Sequence, residues 1–391
     1  MIPEIRLLAA KASKENDNLW LPLLDHLKDT AGVIEYLASR WLPGSVYDEM
    51  EISRKEGIRL AKLLALLHDI GKGIPAFQTR ILEQLPDIKC FQEMAGIETN
   101  LNKTQMDIKH AHAGAVLLRA MGYPESVAAI VGAHHGSPEP NNMDDDAFDE
   151  LTLERKKYGD KNSIWRKMQE ELLKWALEEA GYSEKGEIPD ISEAAQMIFC
   201  GLLIMADWIA SNPNFFPLLE MEEGFDSLSY PQRIESAWQA LSLPERWLPT
   251  TYYMGMMDFR ERFGFDWNTV QQSVVQAIEE SRQPGIFILE AQMGVGKPEA
   301  SLAGAELLAS KFGKKGMYFG LPTQATANGI FPRLKQWAQQ QSESAQHGIM
   351  LAHGMAELNE DFQAIFHGRA IQNEDGSSKG LLVPPWFEGN K

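Results

Sequence analysis

The sequence predicts a multidomain protein with a mostly helical first domain over residues 1–250 and an incomplete α/β domain over 285–391. Apolar residues recur at helical spacing through most of the first range. After about residue 265, short apolar runs alternate with helix-like segments, which is typical of a parallel α/β sheet. Only three such runs occur, which is too few for a complete sheet of this class, and residues 251–284 connect the two domains.

Composition places the chain among soluble globular proteins. Its 391 residues are 44% hydrophobic and 24% charged, which is ordinary for a chain of about two domains. No uninterrupted apolar run approaches the roughly 20 residues of a membrane-spanning helix, so we expect no membrane partner. The two cysteines, Cys90 and Cys200, are far apart and in no metal-binding pattern. This excludes a disulfide scaffold and favours the reducing cytoplasm.

The net charge of −18 argues against a general nucleic-acid coat protein, which is usually basic. Residues 285–391 hold 9 Lys and Arg against 10 Asp and Glu, a balance of −1, so residues 1–284 carry the remaining −17. An acidic protein can still process DNA where bound metal ions supply local positive charge.

Apolar spacing and chain-breaking residues predict the elements in order. Helices are expected at 21–41, 58–67, 110–121, 124–135 and 193–210. A polar stretch at 137–163, with acidic residues between 144 and 150, is expected to be a surface loop. Strands are expected at 286–290, 317–321 and 348–351, with helices at 298–312 and 325–339 between them and a weakly structured tail at 376–391.

Histidines and aspartates form one series along the helical domain. Its members are His26, the pair His68 and Asp69, His110, the pair His134 and His135, and Asp207. Imidazole and carboxylate together suit first-row divalent metals. Asp207 is the strongest indication of a metal site. Its neighbours in the predicted helix 193–210 are apolar, and burying a carboxylate without a partner costs free energy. A metal ion or an arginine partner would offset that cost, and a single histidine on a helix is often only a core or surface residue.

The series resembles the HD superfamily of metal-dependent phosphohydrolases, and in particular its two-metal nuclease branch. The resemblance implies one ion held by His26, His68, Asp69 and Asp207, and a second held by Asp69, His110, His134 and His135. It also implies catalytic roles for Asp69, as the bridging carboxylate, and for Lys72, near the scissile phosphate. The family spacing selects His110 over His112, although both stand in the segment HAHAGA.

Two divalent transition metals are therefore expected, namely Mn, Co, Ni or Fe, with Mg as a further choice. A bound metal can lower the pKa of water from about 15.7 to about 7. That shift corresponds to roughly 11 kcal/mol of nucleophile ionisation, so no side-chain general base is required.

A glycine-rich segment follows the first expected strand, in the order strand, loop, lysine and helix. This is the arrangement of a phosphate-binding loop, in which backbone N–H groups around Gly294 and Gly296 cradle phosphates and Lys297 reaches the terminal ones. The full pattern has Ser or Thr next, where this chain has Pro298. We expect a preserved loop with impaired binding of ATP and Mg²⁺, because proline has neither the hydroxyl nor an N–H. A glycine-rich turn that binds no ligand is the alternative.

The surroundings of this loop resemble a superfamily 2 helicase. Residues 263–265 with Gln271 and Gln272 look like its adenine-recognising segment, and LPTQATANGIF looks like a motif that contacts DNA backbone through Thr323 and Thr326. No acidic Asp-Glu box follows a downstream strand, and we expect no second RecA-like domain in this sequence. The resemblance implies a RecA-like (P-loop) domain that is incomplete and unable to act as a motor.

An HD domain ahead of a superfamily 2 helicase resembles the CRISPR-associated nuclease–helicases of type I interference. That resemblance implies an all-α HD domain and cleavage of single-stranded DNA in antiviral defence. It also implies recruitment by a crRNA-guided surveillance complex. An HD-type nucleotide phosphohydrolase and a catalytically inert remnant remain as alternatives.

Overall fold

The computed structural model describes residues 2–13, 19–97, 109–136, 164–220, 230–241, 253–341, 346–367 and 380–382, together with residues 247, 249 and 251. Two compact units are present, Met1–Leu241 and Ser242–Glu388. The predicted acidic loop at 137–163 lies outside the described residues, as does most of the tail at 376–391.

The first unit is mostly helical, which confirms the predicted fold class of this domain. Its helices are α1 Leu23–Tyr36, α2 Gly44–Glu49, α3 Arg54–Leu67, α4 Pro75–Leu82, α5 Pro86–Met94, α6 His110–Ala120, α7 Glu125–Gly132, α8 Ile164–Glu179, α9 Glu193–Ala210 and α10 Tyr230–Leu241. Shorter helical turns cover Pro3–Leu7, Leu37–Trp41, Ile70–Lys72 and Lys185–Glu187.

The central helices of this unit begin at capping residues and bury their apolar faces together. Ser53 accepts a hydrogen bond from the N–H of Glu56 at the start of α3, and Ser192 caps α9 in the same way. Helix α1 packs against both α3 and α9. Their facing residues, such as Leu27 and Leu63, are fully buried, so the three helices form a rigid support for side chains near their ends.

A small antiparallel sheet, which the sequence did not predict, lies beside these helices. It contains β1 Ala9–Ala12, β2 Leu19–Pro22 and β3 Leu219–Glu220, with Ala12 opposite Trp20. The helix predicted from residue 21 therefore begins at Leu23, because the two preceding residues belong to β2. Buried Gln78 ties β1 to the turn after α3, since its amide donates to the carbonyls of Ala9 and Lys72, at 2.9 Å each.

The second unit contains five helices in its described part, and a buried carboxylate joins three of them. Its helices are α11 Met256–Phe263, α12 Thr269–Glu280, α13 Lys297–Lys311, α14 Gln324–Gln339 and α15 Glu360–His367, with a turn at Ala356–Leu358. Phe259, Val275 and Leu307 share one hydrophobic cluster. Glu306 is fully buried and accepts hydrogen bonds from Arg262 at 2.7 Å and from Trp337 at 3.3 Å, which joins α13 to α11 and α14.

The predicted strands of this unit are partly wrong. Residues 286–290 and 317–321 are not strands, and Ile286 and Tyr318 are 93% and 90% exposed. A strand needs hydrogen-bonded neighbours, and within the described part of the chain neither segment has one. The third strand lies at Gln346–Gly348 (β4) rather than at 348–351, and it pairs in parallel with β5, Gly380–Leu382, inside the predicted tail. This parallel pair agrees with a partial α/β domain.

Helix α9 is long and apolar enough to cross a membrane by length and composition alone. About 44% of that window is buried within the protein. The core helix of a soluble protein passes the same test, so this finding is weak evidence for a membrane span.

Candidate metal centre

The histidines and aspartates of the series lie at helix ends that converge in the first unit. His26 is on α1, and His68 and Asp69 follow the last residue of α3. His110 begins α6, whereas His134 and His135 follow the end of α7. Asp207 lies in the last turn of α9. Convergence of five separate elements explains how residues so distant in sequence meet at one place.

Asp69 stands at the centre of the arrangement, and its two carboxylate oxygens face different partners. Oδ2 lies 2.9 Å from Nε2 of His26 and 3.2 Å from Nε2 of His68. Oδ1 lies 3.2 Å from Nε2 of His110 and 3.6 Å from Nε2 of His134. One buried carboxylate therefore joins two groups of imidazoles.

Two groups of potential metal ligands result, and we call them the inner and the outer cluster. The inner cluster contains His26, His68, Asp69 and Asp207, all buried, and the outer cluster contains His110, His134 and His135. Within each cluster the ligand atoms lie within 4.8 Å of one another. In the outer cluster, Nε2 of His135 lies only 2.8 Å from Nε2 of His110, and His135 is exposed to solvent.

Backbone carbonyls orient two of the imidazoles. Nδ1 of His68 lies 2.8 Å from the carbonyl oxygen of Ala65, and Nδ1 of His134 lies 2.6 Å from that of Val131. A carbonyl oxygen only accepts, so each Nδ1 carries the proton and donates it. Nε2 of both rings is thereby directed into the centre, as a metal ligand requires.

Several buried polar atoms in the centre have no hydrogen-bond partner among the described residues. They are Nε2 of His68, Nε2 of His134 and Oδ1 of Asp69, each in a residue no more than 1% exposed. Nε2 of His134 and Oδ1 of Asp69 lie 3.6 Å apart, which is too far for a hydrogen bond. Burying polar atoms without partners costs about 1–3 kcal/mol each, so a native protein rarely leaves three of them together. Imidazole nitrogens and a carboxylate oxygen that converge in this way fit divalent metal ions.

The electrostatics of the centre keep both carboxylates ionised. Burial acts to raise the pKa of Asp69, but the positive charges of Lys72 and His68 hold it well below its usual range. Burial also opposes ionisation of Asp207, whose pKa is lowered well below its usual range by the neighbouring imidazoles of His26 and His68. Two ionised carboxylates in a buried site are the hard, negative ligands that a dication needs.

The histidines of the two clusters differ in their affinity for protons. Burial disfavours the imidazolium of His68, yet the charges of Asp69 and Asp207 outweigh it and raise its pKa to about 10. Burial, with the neighbouring His134 and His110, lowers the pKa of His135 to about 4. His135 is therefore neutral at pH 7 and has an imidazole lone pair available.

Lys72 places a cation directly on the bridging carboxylate. Its Nζ lies 2.5 Å from Oδ2 of Asp69, three residues earlier in the chain. The same ammonium lies 5.5 Å from the centre of the Phe77 ring. Lys72 is half-buried, so an anionic substrate that approaches the centre meets a positive charge beside Asp69.

Gly71 permits the close approach that brings His110 to Asp69. A Cβ atom on Gly71 would lie 1.9 Å from the carbonyl oxygen of His110 and 2.5 Å from the backbone nitrogen of Gly114. No other amino acid fits there, because both contacts are with backbone. Sequence analysis missed this role, although a glycine directly after the His-Asp pair was its available signal.

The structure separates His110 from His112 and adds a further residue. His110 belongs to the outer cluster and His112, two positions along α6, does not. Ser211, which the sequence analysis did not consider, donates a hydrogen bond of 3.1 Å to Oδ1 of Asp207. Its position four residues after Asp207 on a helix was the signal that could have found it.

Of the predicted nucleotide-binding residues, the two glycines and Lys297 lie at one loop in the second unit, whereas the two glutamines lie in α12. Gly294 and Gly296 have positive φ angles of 84° and 74°. Nζ of Lys297 lies 2.6 Å from the carbonyl oxygen of Ala291. Gln271 is buried with both ends of its amide bonded to the protein, whereas Gln272 is exposed.

The predicted DNA-contacting threonines lie at the start of α14. Both Thr323 and Thr326 are exposed. Thr323 caps the helix by accepting a hydrogen bond of 3.2 Å from the N–H of Thr326, and the hydroxyl of Thr326 donates to the carbonyl of Thr323. The pair therefore has a local structural role that does not depend on a ligand.

Comparison with known proteins identifies relatives along the whole chain. The family described as "Cas3, HD domain" matches residues 10–216. A CRISPR-associated nuclease/helicase Cas3 of Streptococcus thermophilus is 38% identical, over 98% of this chain and 44% of that protein. A Cas3 endonuclease/helicase of Thermus thermophilus is 29% identical, over 96% of this chain and 41% of its own length. This chain thus spans less than half of these relatives.

A similar fold is found among solved structures. The crystal structure of T. fusca Cas3-ADP superposes with a TM-score of 0.65 at 25% sequence identity. The match covers 98% of this chain and 42% of that one. The likeness therefore extends over both units of the chain.

Proposed function

The chain belongs to the Cas3 HD domain family, and from this premise we propose that its first unit is a metal-dependent nuclease that cleaves single-stranded DNA. The position of Asp69 carries the proposal. Its two oxygens face the inner and the outer cluster separately, which is the arrangement that a carboxylate bridging two metal ions requires.

We assign one ion to each cluster, with Asp69 shared between them. The ligands of the first are His26, His68, Asp69 and Asp207, and those of the second are Asp69, His110, His134 and His135. This donor set of imidazoles and carboxylates favours Mn, Co, Ni or Fe, with Mg as a weaker fit. When bound, such ions act as Lewis acids that ionise water at neutral pH and clamp the oxygens of a phosphodiester.

The side chains of the centre have separate tasks in this proposal. The carbonyl-bound imidazoles of His68, in the inner cluster, and of His134, in the outer cluster, hold fixed directions, so each cluster contains one ligand that is already oriented. Lys72 offers its ammonium to a phosphate oxygen, in exchange for its present partner Asp69. Exposed His135 marks the open side, where a strand of DNA enters.

The nuclease requires no nucleotide in this account. The roles of Gln271, Gln272, Gly294, Gly296 and Lys297 in binding a nucleotide, and of Thr323 and Thr326 in contacting DNA backbone, stay proposals that rest on the helicase resemblance. Cleavage by the first unit is therefore expected without ATP.

The relatives are CRISPR-associated proteins, and we propose the corresponding biological setting for this chain. Its substrate would be the DNA strand displaced by a crRNA-guided surveillance complex, in the cytoplasm, during antiviral interference. The free thiols of Cys90 and Cys200 agree with a reducing compartment.

Cleavage of circular single-stranded DNA, without ATP, tests the proposal. Circles remove free ends, so any linear product reports endonuclease activity. We expect cleavage with Mn²⁺, Co²⁺ or Ni²⁺ and none with EDTA. Asp69→Asn should abolish it, whereas Asp190→Asn, which changes an exposed carboxylate of the same unit, should leave it intact.

Two results would contradict the proposal. One is an absence of cleavage with every metal, and the other is equal cleavage by the wild-type protein and Asp69→Asn. Hydrolysis of free nucleotides in place of DNA would instead support the nucleotide phosphohydrolase.

A further inference from the structure

The glycine-rich loop of the second unit keeps the loop, lysine and helix of a phosphate-binding loop, although residues 286–290 before it are not a strand. Gly294 and Gly296 both adopt left-handed backbone conformations, which side chains other than glycine rarely adopt. The loop leads directly into α13, with Gly296 as its N-cap residue. Backbone N–H groups at such a helix start are available to phosphate oxygens.

This shape is held by the chain itself. The amide of Gln271 donates to the carbonyl of Gly296 at 3.2 Å, and the amide of Asn268 donates to the carbonyl of Val295 at 3.0 Å. The other end of the Gln271 amide accepts from the N–H of Asn268 at 3.0 Å. Both side chains thus support the loop from α12, and Gln271 positions the loop rather than offering its amide to an adenine.

Lys297 completes this internal support. Its ammonium donates to the carbonyls of Ala291 and Gln292, at 2.6 Å and 3.4 Å. Together these side chains bond the carbonyls of Ala291, Gln292, Val295 and Gly296. A preformed loop binds a ligand more tightly than a flexible one, because binding does not have to order the loop.

The magnesium nucleotide implied by the helicase resemblance does not fit the next residue. Between 291 and 300 the sequence AQMGVGKPEA contains no hydroxyl group, so position 298 lacks the oxygen with which a Ser or Thr binds Mg²⁺. The nearest hydroxyl along the helix, that of Ser301, donates to the carbonyl of Lys297 at 2.9 Å. Pro298 also has no N–H, which removes one phosphate donor from the first turn.

Proline nevertheless leaves the fold of this region intact. It stands in the first turn of α13, where its fixed φ is compatible with the helix and its missing N–H breaks no helical hydrogen bond. Proline at position 298 therefore removes groups that could contact a ligand, the hydroxyl and the N–H, without disturbing the helix.

We propose that Pro298 uncouples this loop from magnesium. The loop folds as a phosphate-binding loop, but a nucleoside triphosphate gains no affinity from Mg²⁺ there. We expect threonine at this position to restore the coupling, because the contacts of Asn268, Gln271 and Lys297 that support the loop do not involve position 298.

Binding of a fluorescent ATP analogue to the full chain tests the proposal. The affinity is measured with Mg²⁺ and with EDTA for wild type, Pro298→Thr and Pro298→Ala. The wild-type protein should show the same affinity, or the same absence of binding, in both conditions. Pro298→Thr should bind at least about tenfold more tightly with Mg²⁺, the worth of a contact to a charged group.

Pro298→Ala distinguishes the effect of the missing N–H from that of the missing hydroxyl, because alanine restores only the N–H. Its affinity should not depend on Mg²⁺. Thermal unfolding of the three proteins checks that all are folded. A wild-type protein whose affinity rises with Mg²⁺, or a folded Pro298→Thr that gains no dependence on Mg²⁺, would overturn the proposal. Neither result bears on DNA cleavage by the first unit.

Discussion

Oδ2 of Asp69 lies 2.9 Å from Nε2 of His26, a residue on a different helix. The other oxygen of the same carboxylate points toward the outer cluster, 3.2 Å from His110. Removing ligands from one cluster should therefore affect one ion and spare the other, whereas Asp69 is common to both.

Substitution of His135 tests this division. His135 is exposed, so His135→Gln should fold normally. We expect the bound Mn²⁺ to fall from two ions per chain to one, as measured by elemental analysis after dialysis. His353→Gln, which changes a histidine of the second unit, should retain both ions. Two ions in His135→Gln would contradict the assignment of His135 as a ligand.

Gly71→Ala should destroy the centre without altering any ligand. The added methyl overlaps the backbone of α6, 1.9 Å from the carbonyl oxygen of His110. We expect a loss of about 3 kcal/mol or more in the free energy of unfolding, as for severe overpacking, and a loss of metal from the outer cluster.

Gly201→Ala is the matched control for that substitution. Gly201 lies within α9 with open space where its Cβ would be, so alanine should stabilise the protein by about 1 kcal/mol. Denaturant unfolding measures both variants. Equal stability of Gly71→Ala and wild type would show that the close approach of the turn to α6 is not required.

Lys72→Ala should separate substrate contact from metal binding. The ammonium lies 2.5 Å from Oδ2 of Asp69, so its removal takes a competing cation from a metal ligand. We expect equal or tighter Mn²⁺ binding, together with a fall in cleavage rate of about 10–100-fold, the worth of one charged hydrogen bond. Lys62→Ala, on α3 of the same unit, is the control. Unchanged cleavage would remove Lys72 from the mechanism.

The buried carboxyl of Asp29 on α1 should make the stability of the first unit depend on pH. Burial raises its pKa to about 7, although Arg233, bonded to both carboxylate oxygens at 3.0 and 2.9 Å, opposes the shift. Since the folded pKa exceeds the unfolded value of about 3.9, the folded state retains a proton that the unfolded state releases. The resulting stabilisation is present below pH 4 and is lost as the pH rises through about 7.

Asp29→Asn removes this titration. The stability of the variant relative to wild type should therefore improve steadily between about pH 4 and pH 7, as measured by denaturant unfolding of both proteins in EDTA. A difference that stays constant over this range would show that the pKa of Asp29 is not raised.

The residues of the candidate centre could be predicted from the sequence because each stands in a short, recognisable sequence pattern. The adjacent residues His68 and Asp69 end an apolar helix, and Asp207 interrupts another, so each pattern fixes a residue type at a helix end. The structure brings these side chains together. The sequence could not indicate which oxygen of Asp69 faces which cluster, since that depends on how the helices pack.

The features that the sequence predicted wrongly, or did not predict, have one cause in common. Each depends on contacts between segments that are distant in the sequence. The largely apolar segment 286–290 has the composition of a strand. A strand also needs a neighbouring strand to pair with, and composition does not reveal whether one is present. The pairing of β2 with both β1 and β3 joins short segments from opposite ends of the first unit. Gln271 likewise has the residue type of an adenine contact, and only its distance to Gly296 identifies its bond to the loop.

Electron paramagnetic resonance of the Mn²⁺-loaded protein is the most direct test of the central claim, that Asp69 joins two metal ions in one centre. Metal ions in two-metal sites lie about 3.5–4 Å apart, so two Mn²⁺ ions bridged by Asp69 should give the spectrum of a magnetically coupled pair. Asp69→Asn should lose that spectrum together with DNA cleavage. A wild-type spectrum of isolated Mn²⁺ ions, in a protein that cleaves DNA, would contradict the account.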